Sequence, residues 1–294
     1  MPSPPAPFRV AVAQVDPTLG DLPANLRIHL DQIAKAGSEG ADLVAFPELS
    51  LTGYYLKDQV PEVAEPRDGP LIRAVAEAAA SAGVAAVVGF VEEDRAANFY
   101  NAAAFVDAGS ETFVHRKVYL PTYGMFDERR YFAAGDRIRA FDTRFGRVGL
   151  LVCEDAWHLS CGVVLQADGI DLLILIANSP ARGVREEELG SRSSWRTLAQ
   201  TYAMYLNVPV VFSNRVGFED GVGFWGGSVV YAPGGETLVE APGFEPALVI
   251  APIDPRSTRL QRILAPIDRD ERLHLTLDEL ERIRHGRIHR DPRD

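Results

Sequence analysis

Short apolar runs alternate along the chain with stretches in which apolar residues return every three or four positions, the signatures of strand and helix. RVAVAQVD (9–16) reads as a buried strand, and Asn25 to Ala36 follows with Leu26, Leu30 and Ile33 at helical spacing. ADLVAFPE (41–48) reads as the next strand. A helix is predicted over Pro70 to Ala82, with Pro in its first turn and Gly83 just past its end. GVAAVVGFVEE continues as a strand, and residues 99–107 and 111–118 predict a hairpin turning through Asp107-Ala108-Gly109-Ser110. The alternation resumes with RVGLLVCED (147–155), GIDLLILIANS (169–179), VPVVFSN (208–214) and PALVIAPID (246–254). A helix is expected from about Ser193 to Leu206 and a hairpin around Pro233-Gly234-Gly235. Strands interleaved with helices indicate an α/β fold, and the hairpins make its sheets mixed.

No fixed-period repeat or low-complexity linker interrupts this pattern. The reading is an extended or disordered arm (1–8), one domain (9–254) and a highly charged C-terminal extension (255–294) that could serve as a dimer element. With 47% hydrophobic and 24% charged residues, the composition is that of a soluble globular protein. The formal charge of −11 argues against nucleic acid as a partner, while leaving room for a local basic pocket. The longest clean apolar run, Leu172 to Ala177, falls far short of the roughly 20 residues that cross a bilayer. MPSPPAP lacks the cationic and apolar regions of a signal peptide, and two cysteines build no disulfide framework. A cytoplasmic protein is therefore expected. Of 30 basic residues only Lys35, Lys57 and Lys117 are lysine, which draws attention to a site where arginine would not fit.

Cys153 stands directly after the apolar run Val148 to Val152, where a strand end would face a ligand crevice. It is a candidate nucleophile, set against the plainer reading of a small core residue. Cys161 lacks such a setting. Among the histidines only His158 is near in sequence, and it reads equally as base or loop residue. Glu48, at the end of another strand beside Pro47, offers a carboxylate that a dry pocket could turn into a proton acceptor; the alternative is a solvated loop residue. Lys117, closing FVHRK, could stabilise an oxyanion or stand exposed. Glu128, among aromatics and beside Arg129 and Arg130, could orient Lys117 or a substrate nitrogen, or form a salt bridge.

Three segments, FPELSLTGY around Glu48, HRKVYLPTYGMFDERRYFAAG around Lys117 and Glu128, and VGLLVCEDAW around Cys153, occur in the order found in nitrilase-type carbon–nitrogen hydrolases. The chain resembles that family over nearly its whole length. The resemblance implies a four-layer αββα sandwich of two mixed sheets, usually paired with a second subunit. It also implies roles: Glu48 as general base, Lys117 at the oxyanion, Cys153 as the residue that forms a thioester, and Glu128 as the second glutamate.

Nitrilases proper tend to carry Cys-Trp-Glu, whereas here the run is Cys153-Glu154-Asp155-Ala156-Trp157. With YGMFDERRYF, that pattern is most similar to the glutaminase domain of glutamine-dependent NAD synthetases. The resemblance then implies Tyr54, Tyr123 and Phe126 around the substrate, with Ser179 and Arg185 from NSPARGVR, the arginine gripping a carboxylate. No Ser-Gly-Gly-x-Asp-Ser pyrophosphate loop occurs in the 294 residues. The favoured expectation is a free-standing amidase acting on a small linear or glutamine-like amide. The alternatives are a glutaminase subunit feeding a separate synthetase, an N-carbamoyl amide hydrolase, and a non-catalytic scaffold. No metal motif is present, and no metal or cofactor is expected.

Overall fold

The computed structural model describes residues 5–185 and 188–288. The first half of the chain supplies β1 (Phe8–Gln14), α1 (Leu22–Ser38), β2 (Leu43–Ala45), α2 (Val60–Val63), α3 (Pro70–Ala82), β3 (Ala85–Glu93), β4 (Phe99–Val106) and β5 (Phe113–Arg116). The second half begins with β6 (Phe141–Thr143), β7 (Gly146–Val152), α4 (Leu159–Ala167), β8 (Leu172–Ala177), β9 (Val184–Arg185) and β10 (Glu188–Leu189). It continues through α5 (Gly190–Leu206), β11 (Val210–Asn214), β12 (Val216–Glu219), β13 (Val222–Trp225), β14 (Val229–Tyr231), β15 (Thr237–Glu240) and β16 (Ala247–Ile253). Three helices close the chain: α6 (Pro255–Leu264), α7 (Ile267–Asp270) and α8 (Leu273–Ile288).

One sheet has the order β16-β1-β2-β3-β4-β5 and the other β15-β14-β11-β8-β7-β6. In each, three adjacent central strands are parallel and the outer ones antiparallel. The alternation of side chains along each strand builds the layers. Val10, Val12, Leu43 and Val87 point inward against Val148, Leu150, Ile174 and Ile176 of the facing sheet. The opposite face of the first sheet is alanine-rich (Ala11, Ala13, Ala86, Ala102, Ala104) and lets Ile33 of α1 and Val75 of α3 approach closely. On the far face of the second sheet, Leu151, Leu173 and Phe212 pack against Leu165 of α4 and Trp195, Ala199 and Tyr202 of α5. The four layers are therefore αββα.

The helix predicted over Pro70 to Ala82 forms with those bounds, ended by Gly83 at φ +71°. The strand expected over 41–48 is shorter, because Pro47 has no N–H for the ladder, although the Phe46 N–H still reaches the Val87 carbonyl at 2.8 Å. Helix α4, strand β6 and the hairpin β12–β13 were not foreseen from the apolar pattern. The charged segment after residue 254 folds as α6 to α8; Asp254 caps α6 and Arg262 ties it to the Ile170 carbonyl at 2.7 Å. Among the described residues, no helix is long and apolar enough to cross a membrane.

Candidate active site

Glu48, Lys117 and Cys153 each follow a strand end: β2 and β5 in one sheet, β7 in the other. Two of these turns depend on unusual backbone. Leu49 and Cys153 both have φ +46°, a left-handed conformation that costs a residue with a Cβ about 1–3 kcal/mol. The Glu48 turn also lies directly on Gly89 of β3, where an added Cβ would come within 2.2 Å of the Leu49 nitrogen. The Gly89 carbonyl accepts the Leu51 N–H at 3.0 Å. Cys153 opens a short 3-10 turn, Cys153–Trp157, that starts as soon as β7 ends.

The head groups of Glu48 and Lys117 are fully buried, and that of Glu128 nearly so. Lys117 Nζ donates to Glu48 Oε1 at 2.7 Å and to Glu128 Oε1 at 2.7 Å. Glu48 Oε1 also accepts from Asn101 Nδ2 at 2.7 Å, and its Oε2 accepts the Asn178 N–H at 2.8 Å. Tyr54 donates its hydroxyl to Glu128 Oε1 at 2.6 Å, while Glu128 Oε2 has no partner among the described residues. Burial works against the Lys117 charge, yet Glu128 and Glu48 outweigh it and hold the ammonium protonated well above its ordinary range. Burial pushes the Glu128 carboxyl up against the pull of Lys117. One ammonium between two carboxylates in a dry setting is a charged cage in which each member depends on the others.

Cys153, half-buried, lies close enough to this cage to feel the charges of Glu48, Lys117 and Glu128. Burial and the Glu48 carboxylate push its thiol well up, opposed by Lys117 and by the Asn178 N–H. The thiol form is therefore favoured, and a nucleophilic role would need a proton acceptor. The same residue lines a cavity of about 960 Å3 walled by Tyr123, Phe126, Glu154, Trp157, Ser179 and Arg182, among others.

Of the residues singled out in the sequence, Glu48, Lys117, Glu128 and Cys153 come together. Tyr123 and Phe126 line the large cavity, with the Tyr123 hydroxyl on the Glu154 carboxylate at 2.9 Å. Ser179 lines it too, but its hydroxyl accepts from Trp225 Nε1 at 3.0 Å. Tyr54 lines a second pocket of about 320 Å3 that shares Phe126 with the first, and its hydroxyl reaches Glu128 of the cage. The backbone of Arg185 belongs to β9, and its side chain lies outside the described residues. His158 stacks on Tyr119 with ring centroids 3.5 Å apart, and Cys161 is buried against α5. Sequence reasoning missed Asn101, Asn178, Glu154 and Arg182. Asn178 follows β8 as Cys153 follows β7, and Asn101 is a lone amide among the alanines of β4. The signal was a polar residue inside an apolar strand for Asn101 and one directly after an apolar run for Asn178.

The profile of the carbon–nitrogen hydrolase family matches residues 9–263. A glutamine-dependent NAD(+) synthetase of Thermotoga maritima is 33% identical over 255 residues, 84% of this chain and 42% of that protein. The chain thus spans less than half of that relative. N-carbamoylputrescine amidase of Arabidopsis thaliana is 28% identical over 270 residues, 86% of this chain and 88% of the relative. A crystal structure of a carbon–nitrogen hydrolase from Helicobacter pylori G27 superposes with a TM-score of 0.80 at 24% identity, covering 93% of this chain and 98% of that one, and shares the fold. This chain belongs to the carbon–nitrogen hydrolase family, within the nitrilase superfamily. It is a hydrolase of carbon–nitrogen bonds other than peptide bonds.

Proposed function

We propose that the chain hydrolyses a small linear carboxamide, glutamine-like in the favoured case, to carboxylate and ammonia through a thioester on Cys153. The observation that carries this reading is the Lys117 ammonium held at 2.7 Å from both Glu48 and Glu128 beside a thiol that opens onto the large cavity. Glu48 takes the Cys153 proton as sulfur attacks the amide carbon. Lys117 and backbone N–H groups stabilise the oxyanion. The carbon–nitrogen bond breaks as Glu48 returns the proton to nitrogen, releasing ammonia, and the unpartnered Glu128 Oε2 accepts an N–H of the departing group. Water then gives a proton to Glu48 and hydroxide to the thioester, the carbon–sulfur bond breaks, Glu48 returns its proton to the Cys153 sulfur, and the acid leaves and ionises, its proton taken up by the released ammonia. These steps balance with water alone.

A glutamine-like substrate is supported by paired charges on the cavity wall. Glu154, bridged by Tyr123, suits an ammonium, while Arg182, over the Phe126 ring at 4.9 Å, suits a carboxylate. Arg185 remains the second candidate for that carboxylate. A second reading, an N-carbamoyl amide, is favoured by the plant relative that matches this chain over most of its own length. Similarity to part of a glutamine-dependent NAD(+) synthetase leaves room for an ammonia-accepting partner. We further propose a homo-oligomer, because Leu260, Ile263, Leu264, Leu277 and Leu280 expose apolar surface on α6 and α8.

The test is ammonia release from a panel of amides, with Cys153→Ala as blank. Release from glutamine supports the favoured reading. Carbon dioxide alongside ammonia identifies a carbamoyl substrate, and strong stimulation by an added synthetase identifies a subunit. No release from any amide sinks the proposal.

A further inference from the structure

Asp155 lies between the chain segments that carry Lys117 and Cys153, fully buried. Its Oδ1 accepts the N–H groups of Val118 and Tyr119, each at 2.9 Å. Its Oδ2 accepts the Val152 N–H at 3.2 Å and stands 2.9 Å from Nε2 of His115, which donates to it. Four donors therefore converge on one carboxylate. Three of them, from His115, Val118 and Tyr119, bracket Lys117, and the fourth precedes Cys153. Lys117 and Cys153 come from different sheets, so nothing in either ladder sets the distance between them. The Asp155 bonds tie the two segments directly, alongside the Asn178–Glu48 bonds and the core packed between the sheets. They also hold Val152, the last residue of β7, directly ahead of a turn whose leading residue, Cys153, has φ +46°.

The geometry points to Asp155, backed by His115, as a positioning residue that sets the Lys117 ammonium against the Cys153 thiol. Asp155 and His115 are absent from the wall of the large cavity, so their effect travels through backbone. The inference rests on the catalytic reading of Lys117 and Cys153 given above. An asparagine at 155 has the same shape but only one accepting oxygen, so its NH2 group must face a backbone N–H or the His115 ring. A charge-assisted tie with several bonds is then replaced by a partly mismatched one.

Iodoacetamide alkylation of Cys153, followed against pH and corrected with Cys153→Ala, reads this arrangement without a substrate. Lys117 favours the thiolate, so Lys117→Met is expected to move the alkylation profile to higher pH. Asp155→Asn is expected to move it the same way, with alkylation at fixed pH slowed about 10- to 100-fold. His115→Gln spares the backbone bonds and should slow it about 3- to 10-fold. Thermal melting confirms folding, and with an amide substrate kcat falls while KM holds. A shift with Lys117→Met but none with Asp155→Asn or His115→Gln overturns the positioning role and leaves the catalytic reading intact. No shift with Lys117→Met overturns both. Should Asp155→Asn fail to fold, the His115→Gln profile decides alone.

Discussion

Lys117 Nζ stands 2.7 Å from Glu48 Oε1 although the two residues are 69 positions apart, and neither side chain reaches solvent. The contact fixes what can replace the lysine. A guanidinium is planar and broad, and cannot serve as a point charge between two carboxylates. Lys117→Arg is expected to lose about 10³-fold or more in kcat/KM, measured by ammonia release. Lys117→Met leaves Glu48 and Glu128 facing each other without a cation, so it should also melt earlier, losing about 3–5 kcal/mol.

Cys153→Ala removes the proposed nucleophile and keeps the cage. Turnover is expected to fall by several orders of magnitude while the folded protein persists by circular dichroism. Retained turnover in this variant would place the chemistry elsewhere.

Gly89→Ala tests the floor beneath Glu48. The added methyl meets backbone atoms of Pro47 and Leu49, which cannot swing aside as a flexible side chain can. A displacement of the Glu48 turn by about 1 Å would reduce kcat by about 10²-fold, with a smaller change in KM. Wild-type kinetics in a folded Gly89→Ala protein would show that the turn yields freely.

Buried His29 gives the fold an acid limit. Its Nδ1 donates to the Asn25 carbonyl at 2.7 Å, and its Nε2 lies 2.9 Å from the Ser50 hydroxyl, an arrangement suited to the neutral ring. Burial lowers its pKa from 6.5 to about 4. The folded state therefore binds this proton less readily than the unfolded chain. Its stabilisation is complete above pH 6.5 and is lost as pH falls toward 4, amounting to about 3 kcal/mol. Chemical denaturation at pH 7 and pH 4.5 should show this difference in wild type and a smaller one in His29→Gln.

Charge selection at the cavity separates the two sides of a glutamine-like substrate. Glu154→Gln should raise KM about 10-fold for amides bearing an ammonium and leave neutral amides unchanged. Arg182→Ala should do the same for amides bearing a carboxylate. An equal effect of either variant on neutral amides would assign these residues to the shape of the wall.

Much of this organisation was legible in the sequence for physical reasons. Strand ends such as Val152-Cys153 and Phe46-Pro47-Glu48 are visible because an apolar run stops at a polar residue, and the rarity of lysine marked Lys117. The αββα layering came from resemblance, since side-chain alternation cannot tell which of two sheets a strand joins. Asn101 and Asn178 escaped notice because each is one amide in an apolar stretch, and its partner is 53 or 130 positions away. Helix α4 was missed because it is apolar on nearly every side and has little periodicity.

Because Glu48 and Lys117 belong to one sheet and Cys153 to the other, hydrolytic competence cannot precede the docking of the two halves. A chain caught with its halves apart holds an ordinary cysteine with neither the Lys117 ammonium nor the Glu48 carboxylate beside it. Catalysis should therefore vanish in step with the whole fold: ammonia release and circular dichroism, titrated with denaturant, should trace one curve.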